Sequence, residues 1–169
     1  WMKHFLKHIS RFDGITFYCP KKGFNSINHN KTLGRSWHQI PYLFTPKTKI
    51  WHATHQDIKV WPKSKQVKKI ITIHDLNFIY EYKNRQYKYL KKLEKKINES
   101  SHVITISEFK KKEIHKKIKT NIDISVIHNG ICIDKNINSL RPKNILHIKP
   151  NNFYLSIGTV LPKKNFHIL

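Results

Sequence analysis

Short runs of apolar residues, each ending at a polar or glycine-bearing tip, recur four times along the chain. They are 70–73 ending in His74-Asp75, 103–106 ending in Ser107-Glu108, 124–127 ending in His128-Asn129-Gly130, and 153–157 ending in Gly158-Thr159. Runs this short and this rich in isoleucine and valine predict buried strands of a parallel sheet. Because ligands of open α/β sheets bind at the carboxyl ends of the strands, the tips are where we look for function.

Helical spacing appears between these runs. After the first run, apolar residues recur at helical intervals with lysines on the other face, at Tyr87, Leu90, Leu93 and Ile97. The alternation of strand and helix predicts an α/β fold, a Rossmann-like parallel sheet flanked by helices.

A second helix is predicted after the second run. Ser107 can cap it, and Glu108 then lies near its positive end. Its predicted buried stripe consists of Phe109, Ile114 and Ile118.

The segment before the first tipped run is harder to interpret. Residues 14–19 predict a strand, a polar loop follows over 21–34, and prolines interrupt an apolar run over 40–44. Residues 50–52 predict a short strand with a polar exit at 55–57.

Order is lost after the third run, where asparagine, lysine and two prolines predict a linker. We therefore predict a first domain over 1–140, a linker over 141–152, and the first strand and loop of a second Rossmann-like domain over 153–169. The chain begins with Trp1 and stops at Leu169 inside a motif, so we interpret it as a fragment of a larger protein.

The composition of the 169 residues fits a folded protein, with 38% hydrophobic and 12% aromatic residues. No apolar stretch approaches the length of a membrane span, and no signal-peptide pattern follows the first residue. Cys19 and Cys132 lie far apart without paired spacing, which favours a reducing cytosol over a disulfide framework.

The formal net charge of +23 has two interpretations. One is attraction to phosphate, on nucleic acid or on an anionic membrane face. The other is compositional, because lysine, asparagine and isoleucine are abundant together, as expected from an AT-rich coding sequence.

The polar tips also have purely structural interpretations. His74 could bind a ligand hydroxyl or stabilise developing charge, and Asp75 could cap the next turn, but both could simply end a strand. Asn129-Gly130 is typical of a turn. Ser107 is first of all a helix cap, because the Gly-x-Ser-x-Gly pattern of a nucleophilic serine is absent.

The loop after Gly158 carries two lysines and an asparagine, a composition that suits a phosphate. It is not a Walker loop. We reject a metal site at His52 and His55, which lack the glutamate of a zincin helix, and at His4 and His8, which lack an evident third ligand.

The tips, taken in order, resemble a known family. The chain contains Thr-Ile-His-Asp-Leu-Asn-Phe, Ser-His-Val-Ile-Thr-Ile-Ser-Glu-Phe-Lys, Val-Ile-His-Asn-Gly-Ile and Tyr-Leu-Ser-Ile-Gly-Thr-Val-Leu-Pro-Lys-Lys-Asn, a series similar to that of family-4 retaining glycosyltransferases of the GT-B fold. The upstream Trp51-His-Ala-Thr-His-Gln56 resembles a strand-end segment of a bacterial branch of this family. The resemblance covers residues 50–169, and 1–49 only loosely.

The resemblance implies two Rossmann-like domains facing a cleft, with the acceptor mainly on the first and the nucleotide-sugar donor on the second. By motif, His74 would contact the transferred sugar and help stabilise the transition state, and Lys164 would neutralise the donor diphosphate. The other residues implied in donor binding are Gly158, Thr159, Lys163 and Asn165. Those implied in lining the cleft are Asp75, Ser107, Glu108, Asn129 and Gly130.

The chain also departs from the family pattern. Many members carry arginine directly after the strand-end glycine, where this chain has Thr159. The family's N-terminal glycine-rich loop is not present, and its paired-glutamate motif would lie beyond Leu169. We therefore expect this chain to be inactive as given.

The resemblance predicts transfer of a sugar from a nucleotide-sugar to a glycan or lipid-linked acceptor, with retention of configuration, in the synthesis of bacterial lipopolysaccharide or capsule. We expect no cofactor, no essential metal and a cytoplasmic location, with the basic surface allowing peripheral contact with anionic lipid on the inner face of the membrane. One alternative is a basic nucleic-acid-binding protein, although the usual recognition motifs are missing. The other is a non-catalytic remnant.

Overall fold

The computed structural model describes residues 14–20, 31–34, 47–81, 84–130 and 157–158. The elements of this part of the chain are β1 (Phe17–Pro20), β2 (Lys31–Gly34), β3 (Ile50–Ala53), β4 (Lys68–Ile73), α1 (Phe78–Glu81), α2 (Gln86–Asn98), β5 (His102–Thr105), α3 (Glu108–Lys117) and β6 (Ile124–Val126). The chain divides into two compact units, Trp1–Ile131 and Cys132–Leu169, and all of these elements belong to the first.

Four strands form one parallel sheet in the order β3-β4-β5-β6. The registers align Ala53 with Ile71, and Ile73 with Thr105, which is in turn aligned with Val126. All four carboxyl ends therefore meet at one edge of the sheet. With α2 and α3 as the connections between strands, this confirms the predicted α/β, Rossmann-like fold.

The core lies between this sheet and its helices. Side chains alternate along β4, and Ile71 and Ile73 are fully buried on one face. They pack in one cluster with Val103 of β5, Ile97 of α2 and Ile114 of α3. The first three apolar runs of the sequence thus form the centre of this unit.

A second, two-stranded sheet corrects the prediction for the start of the chain. β1 pairs in parallel with β2, with Phe17 aligned to Lys31. Residues 31–34, expected within a polar loop, are therefore a strand. The sequence Lys-Thr-Leu-Gly has no strand-like alternation, and its conformation depends on pairing with a distant segment.

The predicted helices are present, but their buried faces differ from expectation at one residue each. Phe109 is 70% exposed, so the prediction that it lies in the buried stripe of α3 is wrong, and Tyr87, which belongs to the apolar spacing of α2, is 71% exposed. Each is the second residue of its helix and precedes the buried residues of that helix. The buried side chains of α2 are Leu93, Lys96 and Ile97; in α3, Ile114 is buried, and so is Ile118 at the C-cap.

Some predictions fall on other parts of the chain. The apolar run at 40–44, the linker at 141–152 and Cys132 lie outside the described residues. Of the strand predicted at 153–157, only Ile157 is described; it is 87% exposed and not in a strand. None of the helices in the described ranges is long and apolar enough to cross a membrane.

Candidate functional site

His74 follows β4 at the carboxyl edge of the sheet and is fixed by two hydrogen bonds to the segment after β3. Its ring Nε2 lies 2.9 Å from the carbonyl oxygen of Thr54, and its backbone N–H donates to Oε1 of Gln56 at 3.1 Å. A carbonyl oxygen can only accept, so Nε2 carries the hydrogen of this contact. The geometry thereby selects the tautomer of the neutral ring, with Nδ1 as the nitrogen that lacks a hydrogen.

Gln56 joins the two strand ends through both halves of its side-chain amide. Oε1 accepts from His74, and Nε2 donates to the carbonyl oxygen of Asp75 at 3.1 Å. Only one orientation of the amide satisfies both contacts, because the flipped amide would place oxygen against oxygen. Gln56 is 6% exposed, so loss of either bond would leave part of its own amide with little access to water.

Asp75 uses its carboxylate to shape the turn after His74. Its Oδ1 accepts a hydrogen bond from the backbone N–H of Asn77 at 2.9 Å. This contact between residues two apart is an Asx turn, and it confirms the capping role expected from the sequence. Asp75 thus helps to set the path of the chain between β4 and α1.

The imidazole rings of His55 and His74 stack, with centroids 5.5 Å apart and planes inclined by 24°. Nδ1 of His55 accepts from the backbone N–H of Asp57 at 3.1 Å, and the Asp57 carboxylate lies 3.7 Å away. The shorter contact requires an unprotonated Nδ1, so we assign a hydrogen bond rather than an ion pair. The stacked rings present two heteroaromatic groups at the same sheet edge.

A buried lysine on α2 anchors the segment that carries Gln56. Nζ of Lys96 donates to the backbone oxygens of Gln56 at 2.9 Å and Ile58 at 2.7 Å, and the residue is 8% exposed. Burial, reinforced by the nearby charge of Lys92, lowers the pKa of Lys96 to about 8, while Asp57 acts in the opposite direction. The charged amine remains acceptable in the interior because it has polar partners.

Ser107 lies beyond the end of β5 and caps α3, as predicted. Its Oγ accepts from the backbone N–H of Lys110 at 3.3 Å, and Glu108 occupies the first turn of the helix. The carboxylate is exposed and lies near the positive end of the helix dipole. These two residues form the part of the edge that follows β5.

The end of β6 is tied back to β5. The backbone N–H of Ile127 donates to the Thr105 oxygen at 2.8 Å, and Nδ1 of His128 lies 3.1 Å from the Ile106 oxygen. Asn129 and Gly130 follow as exposed residues. Gly130 does not have the positive φ that would require glycine, and a Cβ there would meet no atom within 4 Å.

The structure therefore brings the predicted residues together to different degrees. His74 and Asp75 share one hydrogen-bonded unit with Gln56, whereas Ser107, Glu108, Asn129 and Gly130 stand along the ends of the neighbouring strands. Gly158 is exposed and belongs to the other unit of the chain. The remaining predicted donor residues lie outside the described ranges: Thr159, Lys163, Lys164 and Asn165.

Lys96 and the role of Gln56 were not predicted from the sequence. The signal for Lys96 is its position, since 93, 96, 97 and 100 follow helical spacing and all four are buried. A lysine on an otherwise apolar face would have indicated a buried amine with carbonyl partners. Gln56 belongs to the predicted polar exit of β3, but nothing in its spacing indicates that it bonds the chain after β4.

Among the residues that the structure describes, no group of three or more histidine, cysteine, aspartate or glutamate side chains is placed to hold a metal ion. A family model described as Glycosyltransferase Family 4 matches residues 48–135, a range that contains β3 to β6 and the whole hydrogen-bonded unit around His74. No curated protein and no solved structure shows a significant match to the chain.

Proposed function

We propose, since the chain belongs to Glycosyltransferase Family 4, that it transfers a sugar from a nucleotide-sugar donor to a glycan or lipid-linked acceptor with retention of configuration. Family membership makes the protein a glycosyltransferase, an enzyme with a sugar donor and an acceptor. The nucleotide-sugar, the acceptor class, the retained configuration and the two-domain GT-B cleft belong to the proposal. So does its setting in bacterial surface polysaccharide synthesis.

The observation that carries the proposal is the way in which His74 is held. Its backbone, its ring and the following residue are each hydrogen-bonded to the segment after β3, at the edge where parallel α/β sheets bind ligands. A ring fixed before substrate arrives loses little freedom when it contacts the transferred sugar. Preorganised polar groups of this kind stabilise charge that develops in a transition state.

In the proposed reaction, one bond to the sugar is broken and one is formed. The anomeric carbon of the donor sugar loses its bond to the diphosphate oxygen and gains one to an acceptor hydroxyl oxygen. The electron pair leaves with the nucleoside diphosphate, and the proton of the acceptor hydroxyl is released. The developing positive charge on the sugar is what an imidazole beside it can stabilise, and the leaving group's negative charge needs a cation.

For that cation we propose Lys164, with Gly158, Thr159, Lys163 and Asn165 around the diphosphate. The basis is the sequence resemblance, together with the general suitability of a glycine turn followed by lysines for phosphate. Because a lysine would neutralise the leaving group, we propose a reaction without an essential metal or other cofactor.

Within the first unit, we propose that the acceptor side of the cleft runs along the strand ends after β4, β5 and β6. Asp75 and Ser107 already use their side chains in a turn and a helix cap, so their part would be to shape this surface. Glu108, Asn129 and Gly130 are exposed along it and would line it.

The basic surface supports a further part of the proposal, peripheral contact with anionic lipid at the inner face of the cytoplasmic membrane. Helix α2 alone exposes Lys88, Lys91, Lys92 and Lys95. Basic residues near an anionic surface contribute about 1 kcal/mol each. A membrane-bound acceptor would then be met by an enzyme already concentrated at the lipid surface.

The test is His74→Ala in the full-length gene product, assayed for release of nucleoside diphosphate from UDP-glucose, UDP-N-acetylglucosamine and GDP-mannose in the presence of cell-envelope lipid acceptors. We expect turnover to fall at least about tenfold, or ~1.4 kcal/mol of barrier. The matched control is His115→Ala, an exposed histidine on α3, which should retain full turnover. Turnover of His74→Ala within about threefold of the parent, or ~1 kcal/mol at most, would refute the catalytic role. Unaltered donor affinity in Lys164→Ala would refute the diphosphate role.

No observation favours nucleic-acid binding. A polycation of this charge will bind DNA or RNA at low salt through counterion release alone. Such binding would not count against a glycosyltransferase unless it survived moderate salt with sequence preference.

A further inference from the structure

We propose that Lys96 and Gln56 are positioning residues, which together let helix α2 determine where His74 stands at the edge of the sheet. The inference rests on the proposed function for the catalytic role of His74, whereas the mechanical link itself can be tested without substrate. Neither residue is required to touch a sugar.

The first step of the link runs from α2 to the segment after β3. The Nζ of Lys96 holds two backbone oxygens, those of Gln56 and Ile58, at 2.9 and 2.7 Å. Three residues further along the chain, Glu99 at the C-cap of α2 accepts a hydrogen bond from Nε1 of Trp61 at 2.7 Å. Lys96 thus holds the main chain at Gln56 and Ile58, and Glu99 holds the side chain of Trp61 at the other end of the same segment.

The second step runs from that segment to His74. The side chain of Gln56 has both polar atoms engaged, with the His74 amide and the Asp75 oxygen as partners at 3.1 Å each. Because the backbone of Gln56 is held by Lys96 while its side chain holds His74, one residue transmits the position of the helix to the ring. The Thr54 oxygen that receives the ring Nε2–H belongs to the same segment.

A purely structural purpose would not require a lysine at this position. Residue 96 lies among the fully or largely buried positions of α2, beside Leu93 and Ile97, where an aliphatic side chain would avoid the cost of desolvating an amine. The amine instead contacts the one stretch of chain that carries Gln56. Placement of a catalytic group within a fraction of an ångström is a purpose that would justify this cost, because small misplacements reduce rates steeply.

The experiment compares Lys96→Met and Gln56→Met with Lys88→Met, which makes the same change at an exposed lysine of the same helix. In the 169-residue chain, amide hydrogen exchange is measured at His74 and, as an internal reference, at Ile127, whose N–H bonds across β5 and β6. In the full-length gene product, kcat and KM are measured with the nucleotide-sugar that the wild type uses. Circular dichroism gives the folded fraction by which kcat is corrected.

We expect Gln56→Met to accelerate exchange at His74 at least about tenfold with Ile127 unchanged, since only local protection is lost. Lys96→Met should act in the same direction, and Lys88→Met should have no effect. We expect kcat to fall about tenfold to a hundredfold in the first two variants while KM stays within about twofold, the pattern of a lost transition-state interaction.

Equal acceleration at His74 and Ile127 would overturn the inference, because it would show general destabilisation. Selectively accelerated exchange at His74 with an unchanged kcat would also overturn the inference. If Lys96→Met does not fold, Gln56→Met decides alone by the same criteria. If the wild type transfers no sugar but the variants still accelerate exchange selectively at His74, the mechanical link is supported and the proposed function is overturned. The failure of the inference and the failure of the proposed function therefore remain distinguishable.

Discussion

Replacing Lys96 by methionine should change the way in which the stability of the fold depends on pH. The perturbation removes a single amine from the interior and keeps a side chain of similar length. In the folded protein the pKa of Lys96 is lowered to about 8, primarily by burial and secondarily by the charge of Lys92. In the unfolded chain the amine has the usual lysine pKa of about 10.4.

The sign of the effect follows from the protons bound in each state. Below about pH 8 the amine is protonated in both the folded and the unfolded state, so Lys96 does not make the free energy of unfolding depend on pH. Between about pH 8 and pH 10.4 the unfolded chain still holds it while the folded protein has released it, and the free energy of unfolding therefore rises with pH. The difference between the two pKa values corresponds to about 3 kcal/mol in total, of which about 2 kcal/mol should be gained between about pH 7.5 and pH 10.

The assay is urea unfolding at high ionic strength, followed by circular dichroism at several pH values. The useful quantity is the unfolding free energy of the wild type minus that of Lys96→Met, because the titration of the other lysines and tyrosines cancels in this difference. We expect it to rise by about 2 kcal/mol over the stated range. For Lys88→Met, an exposed position on the same helix, the corresponding difference should stay flat.

A flat difference for Lys96→Met would refute the reasoning, since it would mean that the amine is as well solvated in the folded protein as in the unfolded chain. A difference that falls with pH would refute it more strongly. That result would require the folded state to favour the charged form, as a buried carboxylate partner would.

Two further predictions concern the helix that follows β5. Ser107→Ala should lower the free energy of unfolding by about 1 kcal/mol, because the cap on the Lys110 amide is lost, and Ser101→Ala at an exposed position serves as the control in the same urea titration. Ile114→Ala should cost about 2–5 kcal/mol and Phe109→Ala less than about 0.5 kcal/mol, since only the first removes a fully buried side chain, and equal losses in the two variants would contradict the assigned face of α3.

The parts of the fold that were predictable from the sequence are the strands whose residues are buried or partly buried along nearly their whole length. The runs that became β4, β5 and β6 are apolar because one face of each strand lies in the core and the residues of the other face are partly buried, and this pattern needs no knowledge of the partner strands. Polar residues at their ends had to lie at one edge once the strands were parallel. The location of His74, Asp75 and Ser107 followed from that rule alone.

Features that depend on pairing or on particular contacts were not predictable in this way. The strand at 31–34 has a polar sequence and exists through its ladder with β1. Tyr87 has helical spacing to buried residues, yet it is exposed in the first turn of α2, before the buried residues of that helix begin. In the sequence, nothing distinguishes Gln56 from other polar loop residues. Its two hydrogen-bond partners are backbone groups 18 and 19 residues away, and local sequence does not reveal such contacts.

The high positive charge had two interpretations in the sequence. In the structure, the lysines that give rise to it differ in whether they are exposed or buried. An exposed lysine costs the fold little, so the lysines along the outer face of α2 are compatible with compositional drift as well as with attraction to phosphate. Drift does not readily explain Lys96, because a buried amine is tolerated only where partners exist to receive its hydrogen bonds. Within so basic a chain, burial together with defined carbonyl partners is therefore a better guide to a specific role than charge density. By that criterion, the lysine tied to the segment beside His74 is a stronger functional candidate than the exposed lysines around it.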